Sequence, residues 1–417
     1  MIPYYRFITD NLRFLGFGLL LTFASSFGQT YFISIFSSDI RSEFNLTHGS
    51  FGALYSSATL LSAVALVWTG KLIDTTPLRR YAMIVVISLA SACLLISIST
   101  GPLLLFLAIF LLRQCGQGLL GHISSTSIAA YFHQTRGRAL SLTSLGYPLG
   151  EAIFPVMGVL CIAQFGWRTS WQIYAAIIIV ILPLGISYLL GSFKRRDHVN
   201  KDNKPQADIP LDTSPRHWGR AQVLRDPAFY LAMPVILASA FLFTGFFFHQ
   251  VHIAELKSWP MPLMASSFGA FAVFQIASSL FAGWVVDKWG SLSILPWLQI
   301  PLFAGLGVLG FVEGQWTVWL YMSLGGLTAG ASATVSGALW AEVYGTRHLG
   351  ALKSISIATM VFASALSPVL IGALFDWHFA LEEIITLALG YSFFSSLLAF
   401  GAVRRYYREM PELKKKH

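Results

Sequence analysis

The chain has 417 residues, of which 55% are apolar and only 11% charged, against roughly 25% charged in a soluble domain. That balance excludes an ordinary soluble globular protein. The formal net charge of +9 lies in short segments between apolar runs, so no folded basic domain is available to a nucleic acid. No phosphate-binding loop, catalytic triad or spaced Cys/His set points to an ATP-driven machine, an enzyme, a metal centre or any other cofactor.

Twelve apolar runs follow one another, at 14–37, 49–69, 81–99, 103–130, 138–163, 168–191, 228–252, 262–286, 292–311, 316–341, 350–374 and 381–402. Each is about 18 residues or more and long enough to cross a ~30 Å hydrocarbon core as a helix. In lipid the backbone must satisfy itself, and runs this continuous are helical. The prediction is an all-α membrane protein: twelve transmembrane helices in two six-helix bundles with pseudo-two-fold symmetry. The bundles are expected at 1–193 and 226–417, the second ending in a short basic tail. A polar, Pro-dotted cytoplasmic linker at 194–225 separates them. The first run is too long for a signal-peptide core and lacks a clear cleavage site. Cys93, Cys115 and Cys161 fall inside runs and read as packing residues.

In chain order, the first run places Ser25, Gln29, Phe32 and Phe36 on one stripe. Between the second and third runs sits the polar loop Gly70-Lys-Leu-Ile-Asp74-Thr-Thr-Pro-Leu-Arg79-Arg80. A weaker copy, Gly283-Trp-Val-Val-Asp287-Lys288-Trp-Gly290, stands about half the chain later. Thr135-Arg136-Gly-Arg138-Ala139-Leu140 and Thr346-Arg347-His-Leu-Gly350-Ala351-Leu352 repeat at a similar offset. Two six-helix halves in repeat around a central site make a transporter architecture. Lysine and arginine concentrate on alternate connections, while the opposite ends hold only Arg41, Arg168 and Lys257. This positive-inside bias predicts both termini in the cytoplasm, in a multi-pass protein of a bacterial inner (plasma) membrane, acting as a monomer.

The loop, its copy and the fourth-run segment Arg113-Gln-Cys-Gly116-Gln117-Gly118 together resemble the major facilitator superfamily. The resemblance covers essentially the whole chain. It implies a secondary transporter working by alternating access, with Gly70, Asp74, Arg79, Arg80, Gly283, Asp287 and Lys288 as gating-loop residues. Thr75 and Pro77 depart from the family's loop pattern, and the copy lacks its trailing basic pair. A softer likeness to the monocarboxylate and oxalate/formate branch leaves the substrate open.

Two charged residues stand deep in runs. A charge near the bilayer centre costs ~2.5–3.5 kcal/mol even on the lenient insertion scale, so Arg113 and Glu151 are expected to pair, either as a coupling device or as a permanent structural pair. At ~100° per residue, Arg113, Gln117 and Ser124 share a stripe, and His122 points to the opposite side. His122 is a site candidate or a buried histidine bonded to a backbone carbonyl. Tyr147, Glu151 and Phe154 form a stripe on the fifth run, and Gly146 and Gly150 have the spacing of close helix packing. His249 and His252, near the end of the seventh run, suit proton loading from an acidic exterior or anchoring at the membrane edge. Arg113, Glu151, Gln29, Gln117, Tyr147, His249, His252 and His122 are therefore the substrate and proton candidates. They point to symport of a small organic anion with a proton. Proton-coupled efflux of an amphipathic compound is the rival, and a non-transporting membrane receptor is the rival of another class.

Overall fold

The computed structural model describes residues 4–132, 135–191 and 218–411. Among them there is no strand. Ten helices are long and apolar enough to cross a membrane. One of these, Arg136–Leu190, is two crossings: Gly166 stands at φ 75°, ψ 165° inside it. That left-handed geometry is open to glycine and strained for other residues. It divides the stretch into α5 (136–165) and α6 (167–190). Thr317–Tyr344, 28 residues long, is not among the ten; glycine, serine and threonine dilute its hydropathy, and it completes the twelve as α10.

The others are α1 (4–44), α2 (His48–Thr69), α3 (Leu78–Ser97), α4 (Pro102–Tyr131), α7 (227–256), α8 (Met261–Trp289), α9 (Ser291–Phe311), α11 (Leu349–Asp376) and α12 (Leu381–Glu409). The twelve-helix fold predicted from the runs is the one the chain adopts. The expected linker falls largely on 192–217, outside the described residues; its described end carries the short helix Arg220–Val223.

Packing divides the chain into two units. The first holds the described residues of 1–197 together with 247–254 and 260–266. The second holds those of 198–246, 255–259 and 267–417. The end of α7 thus packs with the first unit, although its body belongs to the second.

In the first unit α1 is not continuous. After Ala24 it tightens into a 3-10 turn at Ser25–Gly28, becomes extended at Gln29 (φ −83°, ψ 151°) and resumes at Thr30. Two serines and a glycine are weak helix formers, and Ser25 Oγ bonds back to the Thr22 carbonyl at 2.6 Å, competing with the helical ladder. α4 also deviates, running as a π-helix over Leu112–Leu120. The two irregular stretches meet: a Cβ on Gly116 would lie 2.6 Å from the Gly28 nitrogen and 2.7 Å from its Cα. Only glycine on both sides permits that approach. Gly146 and Gly150 seat α5 on α1 in the same way, against Leu19, Phe23 and Ser26, as their spacing predicts.

The second unit is built on Phe229, Leu339, Trp340 and Tyr344. Asp226 caps α7 through the Ala228 amide at 2.9 Å and accepts from Tyr344 at 2.7 Å, and the Tyr344 and Tyr406 hydroxyls lie 2.8 Å apart. Gly326 and Gly330 bring α10 onto the α8 backbone, where a Cβ on Gly330 would lie 2.8 Å from the Ser279 nitrogen.

Candidate functional site

The break in α1 decides where Arg113 goes. A 3-10 turn followed by an extended residue leaves backbone carbonyls without helical partners. Arg113 is 2% exposed. Its Nη1 donates to the Gly28 carbonyl at 2.9 Å and its Nε to Thr59 Oγ1 of α2 at 3.1 Å. The guanidinium also stands 5.2 Å from the centre of the Tyr55 ring, whose hydroxyl meets Thr30 Oγ1 at 2.7 Å. Arg113 thus fastens α4 and α2 to the break in α1.

The expected pairing of Arg113 with Glu151 is not made. Glu151 forms no ion pair among the described residues, and its buried Oε2 has no hydrogen-bond partner. The α1 carbonyl at Gly28 takes the guanidinium instead. Close to Glu151 are Tyr31, whose hydroxyl donates to Ser26 Oγ at 2.8 Å, and Tyr147, one turn back on α5. One turn on, Phe154 packs on Phe23 and Phe27, with ring centres 5.1 and 4.6 Å apart. The site around Glu151 is therefore aromatic, with hydroxyls and one carboxylate.

His122 does not point away from Arg113's neighbours. Its Nε2 lies 3.1 Å from the Gly70 carbonyl, at the end of α2, the contact expected of the backbone-bonded alternative, and its ring is half-buried. The π-helical stretch over Leu112–Leu120 changes the phase between the two residues, and Arg113 and His122 both meet α2, at Thr59 and at Gly70. Two more side chains hold the same end of α2: Tyr81 donates to the Thr69 carbonyl at 2.6 Å, and Gln114 donates to Thr69 Oγ1 at 2.7 Å. Ser124 does face α1, donating to the Gly18 carbonyl at 2.9 Å. Gln29 and Gln117 are half-buried.

At the first loop, Gly70, Lys71, Asp74 and His122 border an open groove of about 380 Å³. Asp74 and Arg80 are exposed; Arg79 donates to Ser187 Oγ of α6 at 3.0 Å. In the second copy, Asp287 and Lys288 are exposed, with Lys288 Nζ 4.6 Å from the Trp289 ring centre. Gly283 has open space around it. Ser291, just after this loop, gives its amide to Glu342 at 2.6 Å and its hydroxyl to the same oxygen.

At the other end of the first unit stands a group that the sequence reading missed in part. His48, on the first turn of α2, has its ring centre 4.2 Å from His252 and 5.7 Å from His249. His48 lies at the edge of its run, behind the capping residue Thr47, and periodicity does not single it out. A second missed group ties Glu43 to Arg168: Nη2 and Nε donate to Glu43 at 2.5 and 3.1 Å, Trp167 Nε1 donates at 3.0 Å, and Arg168 also reaches the Ser97 and Ser99 carbonyls at 2.5 and 2.7 Å. These bonds from Arg168 hold the Glu43 carboxyl below its ordinary value. Among the described residues, no group of three or more His, Cys, Asp or Glu is arranged to hold a metal ion.

The family model described as Major Facilitator Superfamily matches residues 18–291 and 250–417. An MFS transporter, asaE, of Aspergillus flavus is 24% identical over 296 residues, covering 67% of this chain. The chain spans about three fifths of that relative's length (61%). Two crystal structures of a bacterial homolog of the human lysosomal transporter Spinster, inward-facing and either unoccupied or occupied, match with a TM-score of 0.64. Identity is 14%, and the match covers 100% of this chain and 99% of the other.

Proposed function

Because the chain belongs to the major facilitator superfamily, a family of transporters and not of enzymes, we propose that it is a proton-coupled secondary transporter of a small organic solute. In this reading it works by alternating access, and Glu151 carries the proton. The observation that supports this is the pairing that fails: Arg113 is committed to the α1 break, while Glu151 keeps a buried oxygen without a partner. A carboxylate in that position is costly as a bare charge. A proton or a cationic cargo removes the charge, and exchanging one for the other is a transport cycle. Efflux of an amphipathic cation against protons uses Glu151 and its aromatic neighbours directly, so it leads.

Symport of an organic anion with a proton is the second reading. Its expected anchor, Arg113, is withdrawn, but the three histidines remain as groups that become cationic in acid. The loop residues Gly70, Asp74, Arg79 and Arg80, with Gly283, Asp287 and Lys288, are proposed to gate the cycle from the cytoplasmic side. The basic bias supports termini on that side of a bacterial inner membrane, and one chain is taken as the working unit.

The test uses purified protein in liposomes loaded with a pH dye. Lipophilic cations, small carboxylates, sugars and amino acids are added one at a time. Internal alkalinisation with a cation, abolished in Glu151→Gln, is the expected result. Acidification with a carboxylate selects the symport reading. Flux unchanged in Glu151→Gln removes Glu151 from the mechanism.

A further inference from the structure

The end of α7 packed in the first unit is held by bonds that the site around Glu151 does not use. Ser34, fully buried, donates its hydroxyl to the Phe247 carbonyl at 2.7 Å. Gln250, 1% exposed, donates its amide to both the Tyr31 carbonyl and Ser34 Oγ, each at 2.7 Å. The second irregularity of α1, a 3-10 turn at Ser34–Phe36, loosens the i→i+4 ladder where these groups are offered. Phe248 lies on Phe51 and Tyr55, with ring centres 5.1 and 4.7 Å apart. Beside this seam stand His48, His249 and His252, with His249 itself buried.

We propose that Ser34 and Gln250 form a clasp that docks residues 247–254 onto α1 and α2, and that protonation of His48, His249 and His252 opens it. Neutral imidazoles tolerate ring contact at this distance. A second or third proton places like charges roughly 4–6 Å apart, where they oppose one another. Imidazoles take up protons in acid, so the clasp is closed in neutral or basic medium and released in acid. The other charged groups on the surrounding elements are Asp39, Arg41 and Glu43 at the end of α1 and Glu255, one turn beyond His252 on α7. Glu43 is held by Arg168. The first two turns of α2 and of α8 carry no further charge. This inference rests on the transport reading for its purpose: it would let an acidic exterior favour release of the end of α7.

The experiment reads the clasp without any cargo, so its outcome is separate from that of the flux assay. Ala254, fully buried, and Leu256, 50% exposed, are changed singly to cysteine. Labelling by a water-soluble thiol reagent in detergent micelles is measured by peptide mass spectrometry at pH 5.5 and pH 8. The A254C/L256C rate ratio cancels the pH dependence of the thiol itself. One unit of repulsion per added proton corresponds to about a tenfold change in the undocked population, so a rise of about tenfold at pH 5.5 is expected. The rise should vanish in the double variant His48→Gln, His252→Gln. Gln250→Ala should raise the ratio at both pH values. Thermal melting of each variant confirms folding, and His48→Gln alone serves if the double variant melts early. A ratio independent of pH in the parent, or a rise that survives the histidine changes, overturns the proposal.

Discussion

Replacing Arg113 with methionine separates a fastening role from a cargo-binding one. Methionine keeps much of the length and apolar stem but donates nothing. The Gly28 carbonyl, accepting at 2.9 Å, and the Thr59 hydroxyl, accepting at 3.1 Å, then lose their partner in a buried setting. An orphaned buried polar group costs about 1–3 kcal/mol, and losing the guanidinium over Tyr55 adds about 0.5–2 kcal/mol. Against this, the variant no longer buries a charge, which offsets several kcal/mol. The expected net loss is about 2–4 kcal/mol, read as a clear fall in melting temperature in detergent. Arg113→Lys should lie between, because a point ammonium cannot reach two acceptors as the planar fork does. Transport by surviving protein should fall alike for cationic, neutral and anionic solutes. A methionine variant that melts like the parent yet loses only anion transport would refute the argument and return Arg113 to the cargo site.

Other outcomes follow from single contacts. Gly116→Ala drives a methyl into the Gly28 backbone at 2.6–2.7 Å, and backbone cannot rotate aside, so a loss of about 1–3 kcal/mol or more is expected. Gly283→Ala, with nothing within 4 Å of the new atom, should be neutral or stabilise α8 by up to about 1 kcal/mol; only the Gly116→Ala melting curve should move clearly downwards. For the Glu43–Arg168 pair, the folded carboxyl is held below its ordinary value of 4.5. Its contribution is therefore complete above that value and disappears as pH falls through the lowered folded value. With side chains 41% and 31% exposed, the contribution is about 0.5–1 kcal/mol, so melting of the parent and of Glu43→Gln should differ near pH 7 and converge towards pH 3. A gap that persists in acid would mean that the effect is not electrostatic.

Hydropathy and charge in the sequence alone set the class, the twelve crossings and the repeat, because the bilayer imposes one length and one backbone solution on every spanning segment. Gly146 and Gly150 were legible as packing residues for the same reason: their spacing is a property of the helix that carries them. The partners of Arg113 and His122 were not. A phase of 100° per residue assumes an unbroken helix, and α4 runs as a π-helix over Leu112–Leu120, between those two side chains. The acceptor for Arg113 is a backbone carbonyl at Gly28, released by a break in another helix, and a carbonyl has no signature in the letters of a sequence. His48 and the end of α7 lie about two hundred residues apart in the chain and face each other only after packing. Which polar groups are satisfied, and which, like Glu151, are left over, is decided by that three-dimensional competition for partners.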